Sequence, residues 1–211
     1  MKDLGSLKYF LGIEVAKNQE GIFLCQRKYT LDIINEVRLL GSQSVSTPMA
    51  QQQKLALSKE PFMDNPDRYR RLVGRLIYLL ATQPDLAYVV HALSQFMKEP
   101  RVDHWNSSLR VVRYLKGMLA QGTLLRANSN LKLFGWCDAD YAGCPITRKS
   151  VGGWFVTLGD SPVSWKTRKQ DVVYRSSAEF EYLSMVLATC ELKWLKSLLE
   201  DIRSEYLVNI L

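Results

Sequence analysis

Apolar positions along this chain follow two periods, and the switches between them mark its elements. Residues 9–15 are a dense apolar run and residues 22–25 a second. Asn18, Gln19, Glu20 and Gly21 between them supply turn chemistry, so the chain opens as a predicted β-hairpin. From Arg27 the period lengthens. Tyr29, Ile33, Ile34 and Val37 fall at helical spacing, with Gly41 as the expected stop. Residues 42–63, with Pro48, Pro61 and several glutamines, lack periodicity and read as a connecting loop. Three amphipathic helices are predicted next. Tyr69, Leu72, Val73, Leu76, Ile77 and Leu80 form the stripe of the first, which Pro84 ends. Leu86, Val89, Val90, Leu93, Phe96 and Met97 repeat it up to Pro100, with Asp85 as the expected N-cap. Leu109, Val112, Leu115 and Leu119 give the third, before Gly122. Short connections between such helices favour a packed bundle.

After Asn128-Ser129-Asn130 the period shortens again. Residues 131–138, 151–158 and 162–165 read as strands, and Gly159-Asp160 makes a hairpin turn between the last two. Tyr182, Val186, Cys190, Trp194, Leu195, Leu198 and Ile202 then recur at helical intervals, which predicts one long helix over about residues 177–204. An apolar tail, residues 206–211, closes the chain. The fold class is therefore α+β in two units. One is a hairpin with a helical bundle over residues 1–125; the other is a three-stranded sheet with one long helix over residues 130–211. Three short strands and one helix make a thin core.

Composition changes this picture in one respect. Of 211 residues, 47% are apolar and 23% charged, an ordinary globular balance, but the formal net charge is +7, which points to a polyanionic partner. Cys25, Cys137, Cys144 and Cys190 are spread too widely for a zinc motif or a disulfide framework, so free thiols in a reducing compartment are expected. No signal peptide and no apolar run of transmembrane length is evident, which leads to the expectation of an intracellular protein without a membrane partner.

Two places hold carboxylates in a suggestive setting. Asp138 closes an apolar strand, and Asp140 has the same strand parity. Glu179 and Glu181 lie in the first turns of the long helix, behind the N-cap candidates Ser176 and Ser177. An acid on a strand facing an acid on a helix suits a magnesium ion, which prefers oxygen ligands. The same residues also have plainer uses: Asp terminates strands, and a first-turn Glu complements the helix dipole. Basic residues lie around and between these acids: Arg148, Lys149, Lys166, Arg168, Lys169 and Arg175, with Trp165 among them. They are candidate phosphate contacts, with aromatic stacking beside them. Arg68, Arg70, Arg71 and Arg75, and then Arg110, Arg113 and Lys116, form further basic stripes on the predicted bundle. No catalytic triad, phosphate-binding loop or dinucleotide-binding glycine pattern is present.

Longer strings are more specific. "WCDADYAGC", "TRKS", "SWK" and "SSAEFEY", in that order and spacing, resemble the ribonuclease H domain of copia-type LTR-retrotransposons. Upstream, "MKDLGSLKYFLGIEV", "STPM", "YRRLVGRLIYLLATQPDLAYVVHALSQFM" and "RVVRYLKG" resemble the end of the same polyprotein's reverse transcriptase and the connection after it. The likeness covers about residues 1–203. It implies a thumb- or connection-like first unit and a ribonuclease H-like second unit. It also implies an RNA–DNA hybrid as partner, and magnesium held by carboxylates that cut the RNA strand. By position in the motifs, Asp138 matches the family's first aspartate and Glu181 its glutamate, with Asp140 and Glu179 as secondary candidates. The basic strip would touch the hybrid's backbone.

The resemblance also implies a third aspartate on a fourth strand, and residues 205–211 do not match it. The polymerase's Tyr-x-Asp-Asp pair is not matched either. The expectation is a truncated Pol fragment without catalysis of its own. The rival readings are a non-catalytic nucleic-acid-binding module and a ribonuclease H completed by another chain.

Overall fold

In the computed structural model, which describes residues 7–50, 55–144 and 147–202, the first apolar run is cut by two left-handed residues, Leu11 (φ 47°) and Gly12 (φ 78°). A turn of that hand matches the twist of a tight hairpin. The expected strand over 9–15 is therefore two, β1 (Tyr9–Phe10) and β2 (Ile13–Lys17). β3 (Gly21–Cys25) pairs antiparallel with β2, Val15 opposite Leu24. A fourth strand, β4 (Gly122–Arg126), completes the order β1-β2-β3-β4. The sequence reading leaves β4 unassigned, because Thr123-Leu124-Leu125 is short and carries no alternation.

The first helix, α1 (Arg27–Glu36), ends earlier than Gly41. Arg38 takes the left-handed conformation (φ 59°); its N–H reaches Asn35 O and the Leu39 N–H reaches Ile34 O. That paired closure satisfies the last carbonyls of the helix. Asn65 caps α2 (Pro66–Leu79) by accepting from the Arg68 N–H, with Pro66 in the first turn. A 3-10 turn at Pro84–Leu86 leads into α3 (Ala87–Ser94), and α4 (Val102–Gly117) follows. Asp85 is not the cap of α3. It sits inside the 3-10 turn and accepts the Tyr114 hydroxyl at 2.8 Å. The predicted stripes meet in one core that includes Tyr69, Leu76, Leu93, Val112 and Leu115.

Two buried polar side chains tie parts of this unit together. Fully buried Gln26 accepts from Thr82 Oγ1 at 2.9 Å and donates to Tyr78 O, so the start of α1 is tied to the end of α2. His104, 2% exposed, accepts the Arg101 N–H on Nδ1 (2.9 Å) and lies 3.0 Å from Leu55 O on Nε2. That pattern fixes the neutral imidazole with its proton on Nε2. Its ring stacks on Phe96 at 4.0 Å. The basic stripes of the bundle also serve the fold. Arg70 donates to Met97 O and Lys98 O beyond α3, Arg75 pairs with Glu36 and covers the Tyr29 ring, and Arg68 covers Trp105. Arg110 donates to Thr47, and Lys116 to Leu40 O and Ser42 O, which fastens the 40–47 loop to α4.

In the second unit β5 (Leu133–Asp140), β6 (Val151–Leu158) and β7 (Ser161–Lys169) form an antiparallel sheet in chain order, and α5 (Ser177–Asp201) follows. β7 runs four residues past the expected end at 165, and a bulge interrupts its pairing between Val156 and Thr157. Ser176 caps α5, accepting the Glu179 N–H at 3.1 Å. Contacts divide the chain into these two units, with the change between Thr123 and Leu124 inside β4 and with Gln19–Gly21 grouped with the second. The architecture is α+β, two small antiparallel sheets with five α-helices among the described residues. The apolar tail at 206–211 lies outside the described residues. No described helix is long and apolar enough to cross a membrane.

Burial holds the His104 imidazole below the ordinary histidine value. A depressed folded value means that the unfolded chain takes up the proton first. Stability is then fully present above about pH 6.5 and lost as pH falls below it toward the folded value. Denaturant midpoints at pH 7.5 and 5.5 should show this loss, and His104→Gln, less stable at pH 7.5, should show a flatter profile. Equal pH dependence in both proteins would remove His104 as its source.

Candidate nucleic-acid interface

Two glycines let α5 lie against its sheet. A Cβ on Gly135 would come within 2.8 Å of Leu192, and one on Gly152 within 2.9 Å of Ser184 and 3.1 Å of Phe180. Both strands therefore pass under the helix without side chains at its closest approach. Leu133, Val156, Leu192 and Leu195 fill the rest of the seat, with Trp154, Leu158 and Leu199 at its margin. Burying each such side chain contributes roughly 1.5–3 kcal/mol, so this small core depends on every member.

The seat fixes which residues face which way. Strand side chains alternate, and cross-strand partners share a face. Gly135 and Gly152 lie on the helix side. Ala139, opposite Gly152, shares that side, and so does Cys137, opposite Trp154. Asp138 and Asp140 therefore stand on the other face, with Phe134 and Trp136. Both aspartates are exposed. Burial and the neighbouring Asp138 charge raise the Asp140 carboxyl above its ordinary value. Gly143, in the turn after β5, leaves room for the Asp140 carboxylate against its backbone.

The two glutamates of α5 differ in use. Glu179 accepts the Arg175 N–H at 2.9 Å while its own N–H bonds Ser176, a reciprocal closure of the helix start. Glu181 is exposed and makes no hydrogen bond or ion pair among the described residues. It rises from the helix, beside Phe180 over Gly152. Asp138 and Glu181 belong to the same end of the unit, Asp138 on the face of the sheet turned away from α5 and Glu181 in the first turns of that helix. Among the described residues no three His, Cys, Asp or Glu side chains gather closely enough to hold a metal ion. As placed, these acids do not fit a magnesium cage.

The basic candidates lie toward one end of the unit, Lys166 and Arg168 on the α5 side of the sheet and Lys169 on the other. Arg148, left-handed at φ 54°, and Lys149 lie on the hairpin between β5 and β6. Lys169 stands opposite Val151 and Arg168 opposite Gly152, at the β7 end beside that hairpin. Arg175 precedes the α5 cap. Lys166 lies further along β7, its ammonium 5.5 Å from the centre of the Trp154 ring. Arg168 is paired only loosely, 3.6 Å from Asp171, and both groups are exposed. Such a pair adds little stability and leaves the guanidinium available. These residues are at the end of the unit that also holds Asp138, Asp140 and the start of α5.

Sequence reasoning passed over two arrangements. Trp136 is opposite Phe155, and Phe155 is opposite Trp165, so three aromatic rings cross the face that α5 does not cover. The alternation Phe134-x-Trp136-x-Asp138 carries the signal for it, but the pairing across strands does not follow from one strand alone. On the helix side, Ser164 Oγ donates to Glu191 at 2.7 Å and accepts from Trp154 Nε1 at 3.2 Å, tying β6 and β7 to α5.

Comparison with known proteins places the chain among transposon proteins. It is similar to the protein named retrovirus-related Pol polyprotein from transposon RE2 of Arabidopsis thaliana, 43% identical over 202 residues, or 96% of this chain and 14% of that one. Similarity to the Pol polyprotein from transposon RE1 of the same plant is 40% over 202 residues, with the same coverage. An uncharacterized mitochondrial protein of Arabidopsis thaliana is 39% identical over 194 residues, 92% of this chain and 80% of that protein. The chain thus spans about one-seventh of the two Pol polyproteins it matches. No family model and no solved structure matches it.

The crowding of the two aspartates is measurable. In Asp138→Asn the Asp140 carboxyl should titrate closer to its ordinary value, because one of its two causes is removed. A raised folded value lowers stability as pH rises through the titration range. The variant should therefore be more stable than the parent at pH 7 and gain less at pH 3. Carbon-detected NMR titration and thermal midpoints read both effects, and an unmoved Asp140 would separate the two carboxylates.

Proposed function

Because the chain belongs to the family of retrovirus-related Pol polyproteins of copia-type transposons, we propose that it is the portion joining the end of a reverse transcriptase to the opening of a ribonuclease H, and that by itself it holds nucleic acid without cutting it. The observation that supports this reading is the number of cations toward one end of the second sheet: Arg148 and Lys149 before β6, Lys166, Arg168 and Lys169 along β7, and Arg175 before α5. The arginines of the first unit run along helices and bond within that unit; these residues lie on a hairpin, an edge strand and a helix start. Cations presented in this way neutralise phosphates, and the displaced counterions drive binding.

The acids support the second half of the proposal. Asp138 and Glu181 are the residues that motif position assigns to hybrid cleavage, with Asp140 and Glu179 secondary. Glu179 is engaged in closing its helix, which leaves Glu181 the better candidate. Two-metal cleavage needs carboxylates converging on one point, so that one ion activates water and the other steadies the leaving oxygen. Support comes from the described residues, among which no three such side chains gather around one point.

Two measurements test the reading. Binding to an RNA–DNA hybrid should weaken steeply with salt, and Lys169→Ala should weaken it evenly across sequences while lowering the salt slope by about one. The purified chain should leave the RNA strand intact with or without magnesium. Magnesium-dependent cleavage that disappears in Asp138→Asn would overturn the non-cutting assignment. Absence of binding at low salt would overturn the nucleic-acid assignment.

A further inference from the structure

Within the second unit α5 lies on one face of the sheet. On the other, Trp136, Phe155 and Trp165 stand in register across β5, β6 and β7, with Phe134 continuing the row along β5. The ring centres of Phe134 and Trp136 are 6.2 Å apart, and those of Trp136 and Phe155 6.0 Å. Trp136 is 54% exposed, unusual for an indole in the middle of a strand. Burial of its ring by α5 is ruled out by strand parity, since Gly135 beside it faces the helix.

The geometry points to this face as a stacking platform for single-stranded nucleic acid, a deepening that rests on the nucleic-acid reading above. Three features favour that occupant over a protein. Neighbouring strands are about 4.8 Å apart, so aromatic rings on successive strands offer flat surfaces at a spacing that unstacked bases can use. Around the rings this face carries Val151, Gly153, buried Thr157 and Thr167, with Val163 at the bulge, not the leucines and isoleucines of a protein-docking face. Lys169 lies on the same face, and Arg148 and Lys149 lie on the hairpin that borders it, so a phosphate chain has cations along one margin. Asp138 stands two positions from Trp136 on that face and is suited to accept a hydrogen bond from a base amino group. A duplex cannot use the rings, because its bases are already stacked. The platform therefore gives this chain a preference for unpaired strands that a purely basic edge would not give.

The test uses the full chain, a fluorescently labelled single-stranded oligodeoxythymidylate of about 15 nucleotides, within the site sizes such platforms cover, and an RNA–DNA hybrid of equal length. Trp136→Ala is the main variant, and its exposure keeps the folding cost small; unchanged circular dichroism and denaturant midpoint verify that. The expected result is that Trp136→Ala binds the single strand roughly 5- to 100-fold more weakly, the range of one lost stacking contact, and binds the hybrid within about twofold of the parent. Tryptophan emission of the parent should be quenched by the single strand and less so in the variant. Equal single-strand affinity in parent and variant overturns the platform while leaving the basic-edge reading intact. No binding of either nucleic acid overturns both. A concentration-dependent dimer of the parent that is lost in Trp136→Ala, without oligonucleotide binding, assigns the face to a second copy and also overturns the platform.

Discussion

The contact on which the second unit depends is the seat of one long helix on a sheet pared down to glycine. Gly135 and Gly152 remove the side chains that would hold α5 away, and Leu192, Phe180 and Ser184 come down into the space. With a core this small there is little apolar surface in reserve, so the closeness of approach matters more than the number of residues involved. The same contact orients everything else on the sheet. Once the two glycines face the helix, strand parity sends Phe134, Trp136, Asp138 and Asp140 to the opposite side.

The two units use basic residues in different ways. In the first, arginine and lysine side chains run along helices and end on backbone carbonyls, carboxylates or aromatic rings of the same unit. Such bonds order loops, because a cation satisfies several carbonyls that a neutral donor leaves open. In the second unit Lys166 lies over the Trp154 ring and Arg168 faces exposed Asp171, while Arg148, Lys149 and Arg175 lie outside the strands and the helix. A net charge of +7 is therefore a poor guide until its charges are sorted into those that hold the fold and those that face outward.

This sorting gives the family relationship a physical content. The chain shares its sequence with about one-seventh of two plant Pol polyproteins, and with most of a much shorter plant mitochondrial protein. The first unit has a large core of its own and buried polar ties at Gln26 and His104. The second has a small core, with α5 on one face of its sheet and a row of aromatic rings on the other.

The sequence by itself determined the alternation of strand and helix periods, the two-unit plan, the three bundle helices and the span of β6, since these rest on local hydrophobic periodicity. It also determined the family, through ordered strings between Asp138 and Tyr182. It could not give the cut at Leu11-Gly12, because a left-handed leucine leaves no mark in composition. It could not give β4, whose few apolar residues become a strand only by pairing with β3. The face on which Asp138 stands was decided by tertiary structure alone. Parity says that Asp138, Trp136 and Phe134 share a side, but which side depends on where the helix lies, and that was settled by two glycines distant in sequence from the helix they admit.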